Sequence, residues 1–169
     1  MANITSLKDT GVPANNEVGR GFTRQVTITS SDFVDNAPSG EADNDPQTYE
    51  ICTIPAGSYV RGVYFYVSTE FDDSGGGANL TVALGDAGDA DGFTAAAQIH
   101  TDHASTVVTG LNDGAFFNDG TTNDVKNAKA YSTASTVEAL FTPSGGWKLS
   151  ELTAGEIRIV VDIVELGLV

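Results

Sequence analysis

The chain has 169 residues, 40% of them apolar, with 23 acidic residues against 8 basic ones and a formal charge of −15. That length and apolar share support one domain with its own core, burying roughly 70% of the unfolded chain's surface without a metal or disulfide to hold it. The charge argues against nucleic acid and anionic lipid as partners, because both are bound through clustered Lys and Arg. Here the basic residues are scattered singly apart from Lys126 and Lys129. Such acidity fits either a device for solubility or an adaptation to salt, where repulsion is screened.

The first 21 residues carry no periodicity, and Gly11, Pro13, Gly19 and Gly21 break every candidate element. They read as an N-terminal arm, with neither the basic nor the apolar stretch of a secretory signal. The sandwich domain then occupies 22–169. Residues 22–29 alternate, with Val26 and Ile28 on one side and Thr27 and Thr29 on the other, which predicts a strand. Residues 30–47 hold Pro38, Gly40, Pro46 and five acids, among them Asp32 and Glu41, and predict an exposed loop onto which Phe33 and Val34 fold back.

A second strand is predicted over 49–54, carrying Cys52, whose lone thiol is expected to be a buried, inert hydrophobe. Residues 59–71 form the longest alternating run. Val63, Phe65, Val67 and Phe71 share one face, and Tyr64, Tyr66 and Ser68 the other. With the turn at 72–77 and residues 80–82 the pattern predicts a hairpin whose apolar face needs a second sheet to cover it.

Farther on, residues 94–99 read as a short helical turn capped by Asp91. Short strands are expected at 107–108, 115–117, 128–131 and 137–141, the last ended by Pro143, with Trp147 just beyond. The pattern is strongest over 156–165, where Ile157, Ile159, Val161 and Ile163 alternate with Glu156, Arg158 and Asp162. This segment is far too short and too charged to span a bilayer. Val63, Phe65 and Val67 are expected to face it. The whole predicts an all-β fold, an antiparallel β-sandwich or jelly roll of about eight strands.

Few residues point to chemistry. Asp86, Asp89 and Asp91 with Gly92 make a weak calcium-loop candidate, but an EF-hand register puts Ala87 and Gln98 at its first and twelfth ligand positions. His100, Asp102 and His103 lack further ligands to complete a zinc site and read as a solvated loop. There is no nucleophile elbow and no phosphate-binding glycine motif. The expectation is therefore no enzyme, no cofactor and no resident metal. Tyr64, Tyr66 and Trp147 are the candidate interface, as rings that stack on a sugar or fill a subunit contact.

The run Ile54, Pro55, Ala56, Gly57 into a long strand, then residues 80–82, Gly85, Asp86 and residues 89–93, with the terminal strand at 157–163, resembles a domain common among small structural proteins of tailed bacteriophages. The resemblance covers roughly 22–166 and rests on the order of short motifs. It implies a virion protein, often a homotrimer, such as a capsid decoration (cement) protein or head-fibre component. It brings no catalytic residues. The partner so implied is the major capsid protein, and the place the capsid surface of a virion made in the host cytoplasm. The alternative is a tail or fibre receptor-binding domain that holds a host glycan on Tyr64, Tyr66 and Trp147.

Overall fold

A computed structural model describes residues 20–33, 40–73, 79–100, 114–117 and 128–165. Among them eight strands follow in order: β1 (Arg20–Thr29), β2 (Gln47–Ile54), β3 (Ser58–Asp73), β4 (Asn79–Asp86), β5 (Asp89–Gln98), β6 (Lys129–Tyr131), β7 (Ser135–Ser144) and β8 (Leu152–Glu165). Single 3-10 turns lie at Ser30–Asp32 and Leu149–Glu151. The strands form two four-stranded sheets, β1-β8-β3-β6 and β2-β7-β4-β5. The protein is an antiparallel β-sandwich.

The pairing is nested: β1 with β8, β2 with β7, β3 with β6, and β4 with β5. The chain is thus one long antiparallel ribbon, folded back at the β4–β5 turn. Contacts β3–β8 and β4–β7 then close each half into a sheet.

The apolar row of β8 explains why it sits in mid-sheet. Ile157, Ile159, Val161 and Ile163 are all fully buried. On one side Ile159 and Ile157 align with Val26 and Ile28 of β1. On the other, Val161, Ile159 and Ile157 align with Val63, Phe65 and Val67 of β3. The expected meeting of β3 with residues 157–163 is thus side by side within one sheet. Tyr49, Leu80, Val82, Leu84, Val137, Ala139 and Phe141 cover this row from the second sheet, all buried. Each large apolar side chain so buried contributes roughly 1.5–3 kcal/mol, against about 0–1 kcal/mol for an exposed ion pair. Packing therefore decides the fold.

Where the sheets meet, Phe33, Tyr49 and Phe141 stack edge to face at 5.0–5.5 Å, and Phe71 joins from β3. Phe33 does fold back onto the core. Val34 lies outside the described residues, as do the strand expected at 107–108 and all but the last two residues of the arm. Gly21, assigned to the arm, already belongs to β1.

Four expectations need correction. Residues 59–71 and 80–82 do not form a hairpin, because β3 and β4 belong to different sheets. The apolar face of β3 is covered by the sheet that β4 enters, so the chain crosses between layers where a tight turn was expected. Residues 94–99 are not helical: β5 pairs with β4 through Thr81↔Gln98 and Leu84↔Thr94. One isolated helical turn must bear the whole cost of nucleation, which sheet pairing avoids. Residues 115–117 form a turn, held by the Phe116 N–H donating to the Gly92 carbonyl at 2.7 Å. Finally, β7 runs through Pro143, which aligns with Leu80. The last β7 residue paired with β2 is Phe141, opposite Gln47, so Pro143 stands where β7 is paired on one side only, a setting that tolerates proline.

Gly155 in β8 has φ +138°, and a Cβ there would stand 2.1 Å from the Phe71 ring. Backbone strain and a clash with a buried ring add up. Gly155→Ala is expected to lower stability by about 2–5 kcal/mol in urea unfolding. A loss under about 1 kcal/mol would show that the ring and strand relax freely.

Candidate functional site: the outer sheet faces and the buried polar clusters

Because side chains alternate, the register that buries the odd positions of β8 turns Glu156, Arg158, Val160 and Asp162 outward. Tyr64 aligns with Val160, and Tyr66 with Arg158. Tyr64 is 39% exposed and lies back over Gly62, which has no side chain to displace it. Exposed Thr23, Gln25 and Thr27 of β1 extend the face.

The charges on this face are paired. Arg61 reaches the Asp162 carboxylate at 2.7 Å, and Arg158 reaches Glu156 at 2.9 Å. The Ser68 hydroxyl also donates to Glu156. Ser68 and Arg158 together hold the Glu156 carboxyl below its ordinary pKa. On a chain of charge −15, two arginines match two acids here and leave tyrosine, valine and threonine as the main contact groups.

The outer face of the second sheet differs. Glu50 and Glu138 stand directly opposite each other on β2 and β7, a destabilising pairing. Burial, then Glu50, then Asp86 push the Glu138 carboxyl above its usual pKa. The two faces of the sandwich are electrostatically unlike.

Trp147 does not join Tyr64 and Tyr66. It is only 5% exposed, donates from Nε1 to the Ser144 carbonyl at 3.0 Å, and packs in the core cluster. Its position beyond a glycine turn suggested exposure, yet the loop around it is docked. Glu41, expected in a solvated loop, is 6% exposed and accepts from the Leu149 and Ser150 N–H groups, both at 3.1 Å, and from Gln47. It thereby caps the 3-10 turn beside Trp147. The Asn44 N–H donates to the Trp147 carbonyl at 2.8 Å, tying the two loops together.

Asp86, Asp89 and Asp91 do not converge on a shared ligand position. Oδ1 of Asp86 accepts from the Gly88 and Asp89 N–H groups, while Oδ2 accepts from Lys129 Nζ at 2.7 Å and Tyr131 Oη at 2.8 Å. These bonds occupy the carboxylate fully, which leaves it poorly suited to a cation. Lys129 also lies over the Phe116 ring. Asp89 and Asp91 sit side by side, and a hydrogen bond between them raises the Asp89 pKa.

His100 follows β5 and is 1% exposed, with no hydrogen-bond partner at Nδ1 or Nε2 among the described residues. Such an unmade buried bond costs about 1–3 kcal/mol. Its neighbours are Trp147, at 6.0 Å between ring centroids, and the carboxylates of Asp72 and Asp73. This grouping escaped the sequence, where His103 and Asp102 were the obvious companions; both lie outside the described residues. An adjacent Asp pair at a strand end is the only local sign. Cys52 is half-buried. Among the described residues no helix is long and apolar enough to cross a membrane.

No protein-family model and no curated protein matches the chain. Among solved structures the chain is similar to one from the cyanophage Pam1 capsid asymmetric unit, at 14% identity and a TM-score of 0.49 over 91% of each chain.

Burial pushes the Asp86 pKa up, but its hydrogen bonds to Lys129, Tyr131 and Gly88 outweigh burial and hold it below the ordinary value. A depressed folded pKa gives stability that is present above the unfolded value of about 4 and lost as pH falls through the folded one. Asp86→Asn is expected to lower Tm by about 3–10 °C at pH 7. The gap to wild type should narrow below about pH 4 in calorimetry. Glu138 runs the other way: its raised folded pKa is a penalty at neutral pH, relieved as pH falls through that pKa. Glu138→Gln is therefore expected to raise Tm at neutral pH, with the gain vanishing on acidification.

Proposed function

We propose that the chain is a non-catalytic structural protein of a tailed-phage virion, and that it decorates the assembled capsid as a cement protein. The observation that carries this reading is the charge-paired, tyrosine-bearing outer face of β1-β8-β3-β6 on a strongly acidic body. Docking another protein over the Arg61–Asp162 and Arg158–Glu156 pairs desolvates matched charges, and Tyr64, Tyr66 and Val160 supply apolar contact. Elsewhere the negative surface keeps the protein off DNA and off other particles.

The nested pairing of eight strands in two sheets fits a jelly roll and supports the resemblance carried by residues 54–57, 80–82 and 85–93. In this reading the partner is the major capsid protein, the working form is a homotrimer, and the arm, now 1–19, lies along the shell. Binding the assembled shell in preference to its precursors stabilises that state by mass action. A second reading, a tail or fibre domain holding a host glycan, draws on the exposure of Tyr64 beside Tyr66.

The test is co-sedimentation of the full chain with empty shells of the phage that encodes it. The chain is expected to pellet with shells and raise their melting temperature. Val160→Glu, which sets an unpaired charge between the ion pairs, is expected to weaken binding at least tenfold, about 1.4 kcal/mol. Deleting residues 1–19, which leaves β1 whole, should also weaken it. Failure to bind any shell overturns the cement reading, and glycan binding lost on Tyr66→Ala would put the second reading in its place.

A further inference from the structure

We propose that Asp72, Asp73 and His100 bind one divalent transition-metal ion, with Zn²⁺ the best match, and that the ion clips the two sheets together at one end of the sandwich. The ligand atoms of the three side chains all lie within 4.8 Å of one another. Neither ring nitrogen of His100 makes a hydrogen bond among the described residues, and 4.8 Å is the outer limit of the cluster. An ion at about 2.0–2.2 Å from each donor closes it by a small inward movement.

The imidazole is what separates this trio from ordinary surface acids. It is 1% exposed, so bulk water does not reach the ring. One imidazole nitrogen with two carboxylates suits zinc or a neighbouring transition ion, whereas Ca²⁺ and Mg²⁺ prefer oxygen alone. Three protein donors leave a fourth tetrahedral position for water on the open side, where Asp72 is exposed.

The backbone places the trio at a junction. Asp72 and Asp73 end β3 in the first sheet, and His100 follows β5 in the second. Between them runs an isolated parallel bridge, Phe71↔His100. Asp72 and Asp73 also align with Ala154 and Leu152 of β8, where the register shifts. An ion here would tie β3, β5 and, through that register, the start of β8. The site belongs to the folded chain itself and does not rest on capsid binding.

The test uses the full chain, stripped with chelator and dialysed, in about 0.15 M salt, where long-range attraction to the acidic surface is screened. Titration calorimetry with ZnCl₂ is expected to give one saturable site per chain. Free Zn²⁺ at about 100 times Kd should raise Tm by about 5–10 °C, with CaCl₂ giving no comparable shift. Asp72→Asn and His100→Asn are expected to abolish the zinc-dependent shift, and His103→Ala to keep it. Asp72 is exposed, so its variant reports on the site even where His100→Asn fails to fold. Absence of a one-to-one site in wild type overturns the proposal. So does a zinc-dependent shift that survives Asp72→Asn unchanged, which would put the ion elsewhere on the acidic surface.

Discussion

The inner row of β8 is the constraint on which the remaining structure depends. Ile157, Ile159, Val161 and Ile163 fill the middle of the first sheet and are aligned on both sides, by Val26 and Ile28 and by Val63, Phe65 and Val67. A slip of one residue would bring Arg158 and Asp162 into the core and expose the isoleucines. The same register sets those charges on the outer face, within reach of Arg61 and Glu156. Surface neutrality there is a by-product of core packing, since the residues that pair outside are fixed by the ones buried inside.

Strand existence was legible wherever one face is buried and the other wet. Residues 22–29, 49–54, 59–71, 137–141 and 156–165 all announce themselves by period-two alternation, and all are strands. Partners were not legible. Period two fixes which side faces inward but not which strand lies alongside, so a crossover between layers looked like a hairpin. β5 was hidden because Ala95, Ala96 and Ala97 carry no alternation, and alanine's helical preference is a weak prior against pairing with β4. Glu41 and Trp147 were misplaced for a related reason: a docked loop has the composition of a free one, and only the N–H groups of a distant 3-10 turn make Glu41 worth burying.

Of the candidate site, the alternation of Tyr64 and Tyr66 was readable and their charge-paired neighbours were not. Arg61 and Asp162 meet across strands far apart in sequence. His100 shows the same limit. Among the described residues its carboxylate neighbours come from the end of β3, and the residues beside it in sequence gave no indication of them. Chemistry assembled by topology leaves little trace in any local window.

The nested pairing also bears on how the chain reaches its fold. β4 and β5 join across a two-residue turn at Ala87 and Gly88, so their contact closes at small entropic cost. Each pair outward encloses more chain, and β1 with β8 encloses nearly all of it. Topologies dominated by such distant contacts fold slowly, in milliseconds to seconds. β8, the most C-terminal of the described strands, is also the one on which β1 and β3 converge, so a nascent chain holds two apolar rows open until that strand is available. Folding is in this sense deferred until β8 has been made, and a chain interrupted before β8 loses the seam of a sheet, not its margin.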